Sequence, residues 1–402
     1  MAEVITASYG SWSSPITAET VLGGALRLDE VQFLGDRVFW VEGRPREQGR
    51  KVLVSCAAGE SPVDVLPATC SVRTRAHEYG GGAYRATPAG VLFSHDADRR
   101  LYRAASGRPP QAITPEGAWR YADITLDPRG GRVVCVREDH TGDRSEPENA
   151  LVAVDLEGSR APVVLARGHD FYSNPRFSPD GSHLSWLTWD HPRMPWDGSE
   201  LWVAAVQADG TLGLPEKIAG GAEESLFQPE WSPEGVLHFV SDRSGWWNLY
   251  RRVGSADEPL LPLEAEFGEA QWVFGQSTYG FDSGGRLVAA YGARSGAKLV
   301  CRQPGAESPE PYDLPFTSLQ SVAVSGAEAA CVAGAPDQPA RVVRIALATG
   351  EYQVLRAATE VEESLRPFLS LPRPIEFPTE GGRTAHAFYY PPHNPRFQAP
   401  PG

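Results

Sequence analysis

The sequence predicts an all-β fold, a seven-bladed β-propeller of four-stranded blades, from two repeated blocks and their spacing. The first block is a turn. One copy reads Pro175-Arg-Phe-Ser-Pro-Asp-Gly-Ser-His-Leu-Ser-Trp-Leu and the next Pro229-Glu-Trp-Ser-Pro-Glu-Gly-Val-Leu-His-Phe-Val. A weaker copy is Asp123-Ile-Thr-Leu-Asp-Pro-Arg-Gly-Gly-Arg-Val-Val-Cys-Val. In each, an apolar residue ends a short strand, Pro fixes φ, and an acidic or basic residue with Gly completes a tight turn. Alternating apolar residues then open the next strand. Pro128, Pro179 and Pro233 of the three turns are 51 and 54 residues apart. The second block follows the first: Asn149-Ala-Leu-Val-Ala-Val, Glu200-Leu-Trp-Val-Ala-Ala-Val and Asn248-Leu-Tyr-Arg-Arg, with Arg100-Leu-Tyr-Arg-Ala-Ala as another copy. It reads as the third strand of a blade, with its Leu facing the neighbouring blade. Four-stranded units repeating at about 40–50 residues mark a propeller.

The units run over 30–70, 79–117, 120–168, 171–222, 226–265, 271–316 and 318–358. The sixth and seventh lack the Pro-Asp-Gly turn and rest on strand alternation, as in Leu287-Val-Ala-Ala-Tyr and Val342-Val-Arg-Ile-Ala-Leu, which leaves counts of six and eight open. A stack of β-sandwiches is disfavoured because sandwiches share no turn motif at fixed period. The expected division is an N-terminal extension (1–29), the propeller (30–360) and a C-terminal segment (361–402). In the extension, Ser14 as N-cap and Pro15 at the first helical position predict a short helix.

Composition narrows the function. The 402 residues include 41 Gly and 35 Pro, in keeping with many turns. A net charge of −14 argues against general binding to a phosphate backbone, which needs clustered Lys and Arg, and against a nucleic-acid partner. The five cysteines, Cys56, Cys70, Cys135, Cys301 and Cys331, are odd in number and widely spaced, as expected of free buried thiols in a reducing compartment. The start of the chain lacks a basic, then apolar, leader, and no run reaches the roughly 20 apolar residues of a membrane span. A cytoplasmic protein without a membrane partner is expected. The nine histidines show no ligand spacing such as H-E-x-x-H, and no dinucleotide fingerprint occurs, so neither metal nor cofactor is expected.

Five longer words carry a resemblance. They are His77-Glu-Tyr-Gly-Gly-Gly-Ala-Tyr, Trp189-Asp-His-Pro-Arg-Met-Pro-Trp, Ser225-Leu-Phe-Gln-Pro-Glu-Trp-Ser-Pro, Val240-Ser-Asp-Arg-Ser-Gly-Trp-Trp-Asn-Leu-Tyr and Gln271-Trp-Val-Phe-Gly. Together they resemble the N-terminal propeller of the prolyl oligopeptidase family of serine peptidases, nearest its acylaminoacyl-peptidase and dipeptidyl-aminopeptidase-like branch. The resemblance implies a propeller that caps an α/β-hydrolase domain and limits what reaches its Ser-Asp-His triad. Phe377-Pro-Thr-Glu-Gly-Gly-Arg-Thr-Ala-His-Ala-Phe-Tyr-Tyr is similar to the first hairpin of that domain, so 361–402 is expected to be a linker and a truncated hydrolase fragment. No Gly-x-Ser-x-Gly nucleophile elbow occurs in the chain. The implied role is therefore non-catalytic substrate gating, with short peptides as the substrate of the whole enzyme and the hydrolase domain as docking partner. The alternative is a free-standing propeller that serves as a protein-interaction module.

The candidate substrate-binding residues are Glu223, Glu224, Arg75, Glu78, Trp196 and Asp197. Glu223 and Glu224 join the fourth unit to the fifth, and adjacent carboxylates suit the cationic amino terminus of a peptide; in an acidic protein such a pair is more usually a solvated loop. Glu362-Glu363 has the same form. Residues 77–82 read either as a functional loop or as a glycine-rich inner strand, and in both cases Arg75 or Glu78 can face a cavity. Met194-Pro195-Trp196-Asp197 lies in a long excursion between two strands, where Trp196 and Asp197 either line a peptide site or pack the loop. Trp246 and Trp247 are read as packing in the fifth blade.

Overall fold

The computed structural model describes residues 4–142, 145–293, 296–306, 308–361 and 363–401. Seven four-stranded antiparallel sheets follow one another along the chain, each with its strands in sequence order. Blade 1 is Arg27–Leu34, Arg37–Arg44, Arg50–Ala57 and Val63–Asp64. Blade 4 is Phe171–Phe177, His183–Trp189, Glu200–Ala205 and Glu216–Gly220. Blade 7, the last, is Ser318–Ser325, Glu328–Ala335, Gln338–Ala346 and Tyr352–Ala357. The innermost strands of blades 2, 3, 5 and 6 are Tyr84–Thr87, Trp119–Leu126, Leu226–Trp231 and Tyr279–Phe281.

In blades 2 to 5 the leucine of the third strand packs against the next blade. Leu101, Leu151, Leu201 and Leu249 are fully buried. Leu101 packs with Tyr121, Ile124 and Val133 of blade 3, and Leu151 with Tyr172 and Leu184 of blade 4. Leu201 packs with Leu226 and Phe239 of blade 5, and Leu249 with Tyr279 and Leu287 of blade 6. Each burial contributes on the order of 1.5–3 kcal/mol. The ring closes without an exchanged strand. Trp40 and Val54 of blade 1 share a core with Val332, Val342 and Leu355 of blade 7, Leu26 N–H donates to Ala358 O at 2.8 Å, and Arg356 pairs with buried Glu42 at 2.8 Å.

A second device surrounds the axis. In blades 1, 3, 4, 5 and 7 the register of the innermost strand slips by a β-bulge. The bulged residues Glu30, Asp123, Asn174, Gln228 and Ser321 take φ between 46° and 56°, a left-handed conformation unfavourable to a side chain such as Glu or Gln. Bonds to the next blade compensate. Glu30 accepts from Ala83 N at 3.0 Å, Asp123 from Asn174 N at 2.6 Å, and Gln228 from Thr278 N at 2.7 Å. Tyr84 and Tyr279 each donate from the phenol to the carbonyl of the preceding blade's bulge, Glu30 and Gln228, both at 2.6 Å.

Four strands per blade make the chain arrive and leave at the same side of the ring, here called the proximal face. The segments before blade 1 and after blade 7 both lie there. The helix of the N-terminal extension is Ala18–Leu22, capped by Thr17 accepting from Thr20 N at 3.1 Å. It starts later than the Ser14-Pro15 signal indicated, because Ser14 Oγ instead closes a local turn on Ile16 N at 3.1 Å. Beyond the propeller, Arg373–Pro378 and Thr384–Tyr389 form an exposed two-stranded hairpin. Ile5–Thr6 pairs in parallel with Phe397–Gln398, and Trp12 stacks on Phe397 at 6.1 Å. All five cysteines are free and buried. No described helix is long and apolar enough to cross a membrane.

Candidate functional site

The proximal face is organised by two connections that meet over the axis. Residues 77–82 lead into blade 2 and residues 271–276 into blade 6. Gly81 bridges Phe274 in parallel, and Phe274 N–H donates to Gly80 O at 2.9 Å. A side chain at Gly81 would put its Cβ 2.2 Å from Phe274 O, so only glycine permits this approach. His77, Glu78, Gly80, Gly81 and Gly82 all have positive φ. The segment is thus a loop that crosses the axis, and not the inner strand that was one of its two sequence readings. Two further cavities, of about 410 and 460 Å³, flank the crossed loops. Glu30 lines both, and burial pushes its carboxyl up to about 7.

The loop is held by a buried carboxylate that sequence reasoning missed. Glu138, 2% exposed, accepts from His77 N at 3.0 Å, from Arg120 Nη1 at 3.1 Å and meets His140 Nε2 at 2.8 Å. Arg120 also donates to Arg75 O at 2.8 Å and to Glu78 at 2.9 Å. Glu138 falls at the end of an ordinary alternating strand, so the only sequence hint was a charged residue in a buried phase.

Beside the crossed loops lies a cavity of about 300 Å³. Its walls come from four blades and include Phe171, Trp189, Trp196, Trp272 and Phe274 around His77. The His77 ring sits 5.0, 5.6 and 4.5 Å from Phe171, Trp189 and Phe274, and burial pushes its imidazole down to about 3. Trp272 and Tyr79 are exposed on the rim and meet edge-to-face at 5.7 Å; Trp196 lies 4.4 Å from Trp272.

The six candidates separate in space. Glu78 and Trp196 line this cavity. Arg75 is exposed beside it, tied through its carbonyl to Arg120. Asp197 is exposed and closes its own loop by accepting from Met194 N at 2.9 Å. Glu223 and Glu224 do not line the cavity. Glu224 is held by Arg243 at 2.6 Å and by Ser241 at 2.6 Å, so its charge is already matched; Glu223 is exposed. Their segment instead braces the excursion that carries Trp196: Ser199 N–H donates to Glu224 O at 3.0 Å and Ser225 Oγ to Pro195 O at 3.0 Å. Glu362 lies outside the described residues. Trp247 joins the core of blades 5 and 6, while Trp246 is partly exposed. Among the described residues no group of His, Cys, Asp and Glu is arranged to hold a metal ion.

These features define a seven-bladed propeller with a crossed-loop roof and an aromatic cavity on one face. No family model matches the chain, and no curated protein does. Solved structures do. Over 99% of its length the chain is similar to a puromycin-hydrolyzing peptidase of Mycobacterium tuberculosis, at 37% identity and a TM-score of 0.91. It is similar in the same way to a puromycin hydrolase, at 36% identity and a TM-score of 0.90. It spans 63% of the length of each. Prolyl oligopeptidase B from Galerina marginata, at 13% identity and a TM-score of 0.66 over 90% of this chain and 55% of that one, shares the fold. These likenesses are consistent with the propeller of a prolyl oligopeptidase-type peptidase.

Proposed function

We propose that this chain is the substrate-gating propeller of a serine peptidase that cleaves short peptides, and that it is itself non-catalytic. The observation that carries this reading is the proximal face, where the axis is roofed by the Gly81–Phe274 contact and both ends of the chain leave the ring. A catalytic domain docked there would receive only substrates small enough to pass the roof and rim. We read 361–402 as the linker and first hairpin of that hydrolase domain, with Ile375, Phe377, Phe388 and Tyr389 of the hairpin exposed for it to cover. In this reading Glu78 and Trp196 shape the cavity wall, Arg75 and Asp197 hold its edges, and Glu223 and Glu224 brace the Trp196 loop.

The chain lacks a Gly-x-Ser-x-Gly elbow, and binding without a nucleophile gives no acyl transfer. The test uses aminoacyl and acyl-peptide nitroanilides with the purified 402-residue chain. No turnover is expected; turnover that survives repurification and labels a serine of this chain would overturn the reading. A free-standing interaction module would instead retain a protein partner without any hydrolase domain.

A further inference from the structure

We propose that the axial chamber beyond the crossed loops is an anion site, in which the guanidinium of Arg85 takes the carboxylate of a small molecule. The chamber lies on the far side of the roof from the proximal face, and the proposal does not rest on the gating reading.

The chamber, about 410 Å³, is walled by the innermost strands. Gly82 and Gly275 of the crossed loops line one end, and Pro233 and Ser325, at or just past the far ends of their strands, line the other. Its charged lining is Glu30, Arg85, Asp123, Arg176 and Glu230. Four of these bond within the wall. Arg176 donates to Asp123 at 3.0 Å and to Glu230 at 2.9 Å. Asp123 also accepts from Asn174 N at 2.6 Å, and Glu30 from Ala83 N at 3.0 Å. The neutral Gln32 is spent on blade 2, donating to Tyr84 O at 3.1 Å and accepting from Ala86 N at 3.3 Å.

Arg85 is left over. It stands between buried Tyr84 and Ala86 on the innermost strand of blade 2, so strand alternation turns it toward the axis, where it is exposed to the chamber. Among the described residues its side chain makes no hydrogen bond and no ion pair. The walls of the ring desolvate it, and that desolvation, followed by the charge of Arg176, lowers its guanidinium from the ordinary value. Glu230 and Asp123 attract it across the chamber without bonding it. A guanidinium stays protonated all the same. The chamber therefore holds a fixed positive charge with five unused donors.

The planar fork of Arg matches a carboxylate through two parallel hydrogen bonds. The negative charges of Asp123 and Glu230 in the same space disfavour a more highly charged anion such as a phosphate dianion. Trp231, Val322 and Val324 offer apolar wall to a short carbon chain.

The experiment uses the 402-residue chain at about pH 6, where Glu30, pushed up to about 7, is mostly uncharged. Saturation-transfer NMR follows propionate, N-acetylglycylglycine and propionamide, and inorganic phosphate enters as a competitor. Saturable millimolar binding of propionate is expected, and none of the neutral propionamide. N-acetylglycylglycine carries the same carboxylate at the end of a peptide. Tighter binding than propionate assigns the site to peptide carboxyl ends, and weaker binding assigns it to free acids. Arg85→Gln should weaken propionate at least about tenfold, with a melting temperature unchanged or raised because repulsion by Arg176 is removed. Arg85→Lys keeps the charge and loses the fork, so its affinity should fall between the two; it also decides the matter if the Gln variant does not fold. Arg108→Gln, at an exposed residue outside the chamber, should change nothing. No saturable binding of propionate, equal binding of propionamide, full affinity in Arg85→Gln, or phosphate bound more tightly than either carboxylate would each overturn the proposal.

Discussion

Replacing Glu138 with Gln tests whether one buried carboxylate holds the roof of the axis. Three groups depend on it: His77 N–H at 3.0 Å, Arg120 at 3.1 Å and His140 at 2.8 Å. Gln offers one acceptor oxygen and turns an NH₂ toward donors, so at least one buried donor loses its partner. A hydrogen bond to a charged group is worth about 1.5–3 kcal/mol. Breaking a buried ion pair costs about 3–5 kcal/mol, but Arg120 keeps the exposed Glu78 and Arg75 O. The local loss should therefore be about 2 kcal/mol, which is roughly a thirtyfold change in an opening equilibrium. Hydrogen exchange resolved to residues 75–82 reads it directly. Protection of the His77 amide should fall about thirtyfold while blade 5 is unaffected. A change below about threefold, or an equal change in all blades, would refute the assignment of Glu138 as the anchor of this loop.

Other outcomes follow from the packing and the buried acids. Leu201→Ala, at the blade 4–blade 5 contact, should cost about 2–5 kcal/mol and lower the melting temperature, whereas Leu214→Ala, at a 95% exposed residue, should change neither. The Glu30 carboxyl is raised from 4.5 to about 7 by burial, so the folded state binds its proton more tightly than the unfolded chain. Stability from this group is present below about pH 4.5 and is lost as pH rises to about 7, by on the order of 1–3 kcal/mol. Glu30→Gln, which can still accept from Ala83 N, should flatten that slope and stabilise the protein at pH 8; an unchanged slope by pH-dependent denaturation would refute it. The Cys331 thiol is pushed up to about 12 and, like the other four, is buried, so a thiol reagent should label none in the native protein and five after unfolding; fast native labelling of any one would contradict the burial.

The propeller was legible because its physics is local and repeated. A Pro-Gly turn and a third-strand Leu recur at a period, and Leu151 and Leu201 do face the next blade as their alternation required. The bulges were not legible, since Glu30 and Gln228 carry no signature of a left-handed backbone; neighbouring blades impose it. The same holds for the helix start: Ser14 read as the cap, but its hydroxyl closes a local turn and Thr17 caps the helix instead. At the site, the aromatic excursion and the glycine run could be seen as unusual. That the two glycine-bearing loops cross the axis could not, because residues 81 and 274 are joined only by the closing of the ring. Adjacent carboxylates at 223 and 224 looked like a charge site in sequence; Arg243, nineteen residues on from Glu224, cancels that inference for Glu224.

The central claim is that this propeller admits substrates by size. The direct measurement is the rate of cleavage against peptide length, in a polypeptide that joins this propeller to a serine-peptidase domain, with and without residues 77–82 replaced by a short linker. The account predicts efficient cleavage of short peptides, a steep fall with length and no cleavage of folded proteins, with the fall relaxed when the crossing loop is removed. Rates independent of length in the intact enzyme, or a length limit unmoved by that replacement, would contradict it.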